Sequence, residues 1–560
     1  MAAMEESPTE PAQPAPAPDS GEPSSSPASA QGGEPETPTA TATAAPPRRR
    51  SRWPLHPLLF AIYPVLALYS ANLGEASPDD LVVPLVGVVV GTLVLYALGR
   101  LVLRSSERAA LATTLLLVVF FAYGRVLQAV DGSPIGGGRL LLGAVVVVVV
   151  GLALIVLIRR DPARVNRALD IAGALLVVVA IGSIAVYELP RVLRPPAVAD
   201  AAPPVAATTA TTRDIYYIVV EDLGSPKTLT DHFGLTDTHA FDWLDELGFK
   251  VADRSATNYG KTVHMLASTL NMEYLDDLAR TAGPASGDQH PLVRLIDDNK
   301  VARFLKSQGY RYVHIGSWWD PTEKSSIADA NYGISAPSDF TSALIDTTIL
   351  PEVIARLPRL GIRVGLELSG DEGQYDGAIF GFGKIKELAA TPGPKFVFAH
   401  ILIPHEPFVF RADGTRLTPE ERAKHTEKQN FLGQALYTTS QLEAVSRTLL
   451  SGPEATRPIV IIQTDEGPNP PGFSEAADHF DWTAASQEEL EIKYPILNAF
   501  YMPGLADPGV YPEISTVNTF RLVLGRYFGA DLPLLPDRLY TYRDKAHLYD
   551  FNDITDRLLP

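Results

Sequence analysis

Residues 216–222 read Tyr-Tyr-Ile-Val-Val-Glu-Asp, a short apolar run that stops abruptly on two acids. Such a run reads as a β-strand. Two carboxylates at its carboxyl end put charge where an open α/β sheet faces its ligand. The pattern recurs downstream. Phe396–Ala399 runs into His400, with Pro404-His405-Glu406-Pro407 close behind, and Ile459–Gln463 runs into Thr464, Asp465, Glu466 and Gly467. Further strands are expected at Tyr312–Ile315 and Ile496–Tyr501, and helices near 236–247, 262–272, 298–308, 418–450 and 515–528. Strand and helix in alternation predict an α/β domain with a mainly parallel sheet. Three strand ends then bring acids and imidazoles to one rim, an arrangement suited to a divalent cation. Any one pair alone reads equally as solvated acids at a loop start.

Upstream the composition changes. Five apolar stretches, at 55–73, 81–100, 109–129, 139–158 and 168–188, are each long enough to cross ~30 Å of hydrocarbon as a helix. Arginines cluster on alternate sides: Arg48, Arg49, Arg50 and Arg52 before the first stretch, Arg100, Arg104 and Arg108 after the second, Arg159, Arg160, Arg164 and Arg167 after the fourth. The loops 72–80 and 131–138 hold acids and no Lys or Arg. The positive-inside rule makes the N-terminus cytoplasmic, and an odd number of spans puts everything after about residue 190 outside. Residues 1–52 are rich in Pro, Ala, Ser and Thr and read as a disordered tail. The domain plan is therefore tail 1–52, five-helix transmembrane domain 53–188, linker 189–212 and an extracytoplasmic domain 213–560. Asp170 is the one ionisable group expected deep in a span, too little for a transport pathway. A formal net charge of −18 argues against nucleic acid as a partner, and the lack of cysteine excludes disulfides and thiolate chemistry.

Asn258-Tyr-Gly-Lys-Thr262 opens a helix with apolar periodicity. Free backbone N–H groups at a helix start accept phosphate, and a hydroxyl there is a candidate nucleophile if a cation lowers its pKa. The plainer reading of Thr262 is a helix cap. A nucleotide-binding P-loop is excluded, because Ser255 stands where its first glycine belongs.

Taken in order, Ile218-Val-Val-Glu-Asp222, Gly260-Lys-Thr262, Phe398-Ala-His400 with Pro404-His405, and Gln463-Thr-Asp-Glu-Gly467 resemble the alkaline phosphatase/sulfatase superfamily. Within it the chain resembles the membrane-embedded branch, the lipoteichoic acid synthases and phosphoethanolamine transferases. Leu497-Asn-Ala-Phe-Tyr-Met-Pro-Gly504 and Val517-Asn-Thr-Phe-Arg521 are similar to stretches of bacterial sulfatase-like membrane proteins. The resemblance implies an alkaline-phosphatase-like catalytic domain behind five membrane helices. It also implies Glu221, with Asp222 in support, and Asp465 as ligands of one divalent metal ion, and Thr262 as metal-bound nucleophile. By the same likeness His405 contacts the transferred phosphate or its leaving group. Lys261, His314, Trp318 and His400 are the candidates for substrate binding.

One position departs from the family. Asp465-Glu466 stands where Asp-His is usual. With Glu466 as a ligand the site is harder, which favours Mn or Mg over Zn, and it leaves open a degenerate site that binds an envelope polymer without turnover. A formylglycine sulfatase is excluded, since there is no cysteine and Ser225-Pro-Lys227 lacks the spacing. The activity implied is transfer of a phosphoryl-linked head group, such as glycerol phosphate or phosphoethanolamine, from a membrane lipid donor to an envelope acceptor through a phospho-threonine. A membrane-anchored phosphodiesterase or phosphatase is the alternative.

Overall fold

The computed structural model describes residues 54–130, 137–157, 162–193, 211–237, 239–334, 337–357, 370–473 and 480–559. The expected tail (1–52) and most of the linker lie outside the described residues.

The apolar stretches form α1 (His56–Ala71), α2 (Val82–Leu103), α3 (Ser106–Ala129), α4 (Gly137–Leu157) and α5 (Ala163–Leu193). Four are long and apolar enough to cross a membrane; α1, with 16 residues and an internal Pro64, is shorter. At 1.5 Å per residue α1 reaches only about 24 Å. It buries Ala61, Val65 and Tyr69 among its neighbours. Asp170 explains itself here: its Oδ1 accepts the backbone N–H groups of Leu55 (2.8 Å) and His56 (2.7 Å) at the start of α1. It satisfies donors that a helix start leaves open. By contrast, Val145, Val147 and Val149 on α4 are each at least half exposed, as suits a helix face turned to lipid.

The α/β domain is built on a seven-stranded sheet in the order β2-β7-β6-β1-β5-β3-β4. The strands are β1 (Ile215–Val220), β2 (Lys250–Val251), β3 (Arg311–Ile315), β4 (Ala330–Tyr332), β5 (Lys395–Ile401), β6 (Ile459–Thr464) and β7 (Asn498–Tyr501). β6, β1, β5, β3 and β4 run parallel, and β7 and β2 add an antiparallel edge. Both faces are covered, which is why β1, β5 and β6 are apolar throughout rather than alternating. Helices Thr262–Asn271, Lys300–Ser307 and Thr519–Phe528 pack one face; Gly370–Leu388 and Glu427–Leu449 pack the other.

Several elements differ from expectation. The helix near 236–247 shrinks to Trp243–Glu246. The stretch 418–450 breaks into Pro419–Arg422 and Glu427–Leu449, because Thr426 and Gln429 form a new capping box. Gly370–Leu388 is a helix despite its glycines; at Gly381 an added Cβ would press on Ile401 at 3.2 Å, so the glycine permits close packing on β5.

The two parts are joined by specific contacts. Gln289 Nε2 donates to Glu75 Oε1 at 2.6 Å, and Arg191 pairs with Asp288. Gly124 N donates to Thr347 O, and Ile349 N to Phe120 O, both at 3.0 Å.

Candidate active site

Period-two alternation decides which of the rim's acids meet. In β1, Ile215, Tyr217 and Val219 face the side covered by Thr262–Asn271, as do Phe396 and Phe398 in β5 and Ile459 and Ile461 in β6. Continuing each parity gives Glu221, His400 and Asp465. Their ligand atoms all lie within 4.8 Å of one another. His400 Nε2 is 2.7 Å from Glu221 Oε2. Thr262 Oγ1 donates to Glu221 Oε1 at 2.9 Å, and Asp465 Oδ1 accepts the Asp222 backbone N–H at 3.0 Å.

Several lone pairs remain unspent. Among the described residues Asp465 Oδ2 is buried with no partner, and Glu221 Oε2 and His400 Nε2 lack hydrogen-bond geometry despite their closeness. An unmade buried hydrogen bond costs about 1–3 kcal/mol, more for a charged group. These converging orphans fit a divalent cation, with two carboxylates and an imidazole as donors and a hydroxyl alongside. His400 is further prepared: its Nδ1 is 2.9 Å from Thr322 Oγ1. With the proton on Nδ1, donated to Thr322, Nε2 keeps its lone pair for the cluster.

Charge tells the same story. Burial opposes ionisation of Glu221, but His400, His405 and the Thr262 hydroxyl outweigh it and hold the carboxyl at about 2. Burial pushes Asp465 well above the carboxylate range, with Glu221, Glu466 and Asp222 adding repulsion. One member is ready to ionise and the other waits for positive charge.

Thr262 is the first residue of its helix and not its cap. Lys261 holds the cap position without a side-chain cap bond, which leaves the Thr262 hydroxyl to Glu221. Gly260 is required just before it, since a Cβ there would lie 2.8 Å from Tyr494 Oη.

Asp222 and Glu466, expected as metal ligands, are placed differently. Glu466 has the opposite parity to Asp465, and Asp222 turns away at φ +58°. Both meet the buried ammonium of Lys493: Nζ is 2.9 Å from Glu466 Oε1 and 3.3 Å from Asp222 Oδ1, and it donates to Asn469 Oδ1 at 2.7 Å. Gly467 allows this approach, because a Cβ would lie 2.2 Å from Ile492 O. The imidazole missing after Asp465 is supplied instead by His400 from β5.

The substrate-binding expectations divide. Lys261 lines a cavity of about 280 Å³ over Thr262, together with Trp319, His405, Lys493 and Lys545. His400 sits in the ligand cluster and not among substrate contacts. His314 is a correction: it is 1% exposed and its Nε2 is 2.8 Å from Thr322 O, a layer behind His400. Trp318 is another, since its Nε1 donates to Gln374 Oε1 at 2.9 Å; its neighbour Trp319 lines the cavity and sets its ring edge-on to His400. Gln374 and Gln434 in turn donate to His405 O at 2.8 and 2.9 Å, fixing that loop. The His405 ring is half-buried, with Nε2 3.9 Å from Asp222 Oδ2. Burial opposes its charge, but Asp222 and Glu221 outweigh that and raise its pKa. Lys493, Asn469, Trp319 and Lys545 were not singled out in the sequence; only the paired tryptophans gave a signal.

No family model and no curated protein matches the chain. Solved structures do. The chain is similar to phosphoethanolamine transferases of known structure. The C-terminal periplasmic domain of Escherichia coli EptC matches at 13% identity and TM-score 0.40, covering 64% of this chain and 99% of that one. The integral membrane lipooligosaccharide phosphoethanolamine transferase A of Neisseria meningitidis matches at 12% and 0.34, covering 85% and 94%. A protein of the alkaline phosphatase superfamily from Vibrio parahaemolyticus matches at 11% and 0.36, covering 61% and 75%. At such low identity and TM-score no residue role is carried from them to this chain.

Proposed function

We propose that this protein is a membrane-embedded, metal-dependent phosphotransferase of the alkaline phosphatase superfamily, with a cytoplasmic N-terminus and its α/β domain outside. It transfers a phosphoryl-linked head group from a lipid donor to an envelope acceptor. One observation carries this: the Thr262 hydroxyl is bonded to Glu221 at the edge of a buried Glu221–His400–Asp465 cluster whose lone pairs are unspent.

Glu221, His400 and Asp465 would hold one divalent cation, which supplies positive charge to lower the Thr262 pKa and shield the incoming phosphate. His400 brings a nitrogen donor, so the set suits Zn as well as Mn or Mg. The hydrogen bond to Glu221 turns a lone pair of Thr262 Oγ1 towards the cavity. Thr262 attacks phosphorus, its proton leaving along that bond, and the bond from phosphorus to the lipid alcohol breaks. His405, kept protonated by Asp222 and Glu221, delivers its proton to the departing oxygen. The acceptor's hydroxyl, giving its proton to the now neutral His405, then displaces Thr262 from phosphorus, and Thr262 takes back its proton from Glu221. Lys261 lines the cavity and offsets the phosphate's charge.

Intact-mass analysis of the purified full chain, with a divalent cation and mixed bacterial phospholipids, tests the reading. An adduct on wild type that Thr262→Ala lacks supports it, and its mass names the head group. Release of the group to water alone assigns a hydrolase. Metal retained by neither form, with no adduct, sinks the enzyme reading and leaves the envelope-binding alternative.

A further inference from the structure

A second cavity, about 240 Å³, shares Lys261, Trp319 and Lys545 with the one over Thr262 and reaches Asn72, Glu75 and Ala76 in the loop after α1. Helix Asp339–Asp346 forms part of its wall through Asp339, Phe340 and Ala343. Thr341, Leu344 and Ile345 of that short helix line something quite different. With Ile349 and Leu350 they close an apolar groove of about 560 Å³ against α2 and α3, within the roughly 300–1,000 Å³ of small-molecule sites.

The groove is kept open by its own residues. Gly87 and Gly91 of α2 line it, and a Cβ at either would meet nothing within 4 Å among the described residues. Glycines four apart in a membrane helix usually let a second helix approach; here no helix among the described residues fills the space. Its polar atoms are spent locally. Thr92 Oγ1 donates to Val88 O and Thr348 Oγ1 to Ile345 O, each at 2.6 Å, while Thr341 Oγ1 accepts from Ser338 at 3.2 Å. The backbone bonds Gly124 N to Thr347 O and Ile349 N to Phe120 O pin the far wall to α3. Outside the groove, Val86, Val90 and Val94 of α2 are all more than half exposed, so the medium at its mouth is hydrocarbon.

We propose that this groove binds one acyl chain of a diacyl phospholipid, whose polar head passes helix Asp339–Asp346 into the Lys261 cavity and towards Thr262. The inference rests on reading Thr262 as acting on a lipid's phosphoryl group. The amphipathic helix then sorts the two halves of the donor: carboxylate and lysine on the head's side, Leu344 and Ile345 on the tail's. Gly91 sets how deep the chain can sit.

The test uses the full chain in phospholipid vesicles containing a phosphatidylglycerol with a photoactivatable diazirine in one acyl chain, with labelled peptides mapped after irradiation. Labelling concentrated on 116–121 and 344–350 is expected, and Gly91→Leu should cut it at least tenfold. Gly182→Leu on α5, where a Cβ also meets nothing, should not. The same comparison in a Thr262→Ala background should give the same result, because the groove does not need the nucleophile. Absence of phosphotransfer by the chain with Thr262 intact, labelling being as expected, would therefore overturn the function and spare the groove. Labelling spread evenly over the membrane helices and indifferent to Gly91→Leu is annular lipid only, and would overturn the groove.

Discussion

The acidic rim has two halves that answer the same electrostatic problem differently. On one side Asp222 and Glu466 enclose Lys493, a cation built into the chain. On the other, Glu221 and Asp465 meet His400, and Asp465 Oδ2 has no partner among the described residues. Two like charges about 4 Å apart repel by roughly 4 kcal/mol at an effective dielectric of 20, so neither half tolerates two bare carboxylates. One half is neutralised by folding; in the other, the proposed cation would supply the positive charge. The departure at Glu466 thus reads as relocation: the carboxylate serves Lys493, while His400 from β5, on the far side of β1, stands in for the imidazole the motif lacks.

The sharpest way to break this contrast is at the nucleophile. Thr262→Ala should lower phosphotransfer by about 10³-fold or more yet retain the cation, as measured by metal analysis of the purified protein. Loss of the ion as well would make Thr262 chiefly a ligand.

Next comes the resident cation. Breaking a buried ion pair by removing one partner typically costs about 3–5 kcal/mol, so Lys493→Met should lower thermal stability markedly in metal-free buffer. If Lys493 does the work of an ion, added Mn²⁺ or Zn²⁺ should restore much of that loss, and the bound metal should rise from one ion to two. A variant that melts like wild type would show that Asp222 and Glu466 need no cation.

His400→Ala strikes the other half. It should weaken cation binding by about 100-fold, and Thr322→Val, which removes only the hydroxyl behind the ring, by about 10-fold. Titration with competition for a chelating dye measures both. Equal, negligible effects would remove His400 from the ligand set.

How much of this could be read in the sequence follows from the same alternation. β1, β5 and β6 are uninterrupted apolar runs, so the strands and their acidic ends stood out. The side on which each acid falls depends on where the last strand residue sits, and a shift of one residue exchanges Asp465 for Glu466. Asp222 was harder still, because its positive φ has no glycine to announce it. His400 looked like a substrate contact because it lies inside its strand, one residue short of the end. Lys493 comes from a helix that carries no motif, and Gly370–Leu388 was masked by its own glycines. The membrane helices were plain from length and hydropathy, though α1 forms only 16 residues of helix within the apolar stretch 55–73.

The smallest expected effect lies where the two halves of the molecule meet. Asp339 lines the cavity next to α1, and burial, with repulsion from Asp320, Glu75 and Asp80, raises its pKa from 3.8 to about 8; His405 pulls the other way. A carboxyl raised in the folded state stays protonated while its unfolded counterpart ionises, so native stability falls as pH climbs from about 4 to about 8 and then levels. Each pKa unit corresponds to ~1.4 kcal/mol, but the side chain is partly exposed and shares its shift with Asp320, so a gain on the order of 1–2 kcal/mol is expected for Asp339→Asn. The sign fixes the window: no gain at pH 4, a growing gain through pH 6, and a constant one above pH 8. Melting temperatures of the two proteins across that range measure it. A gain already full at pH 4 would mean that Asn simply packs better, and no gain at pH 8 would mean that a cation, or the head of a bound lipid, already neutralises Asp339.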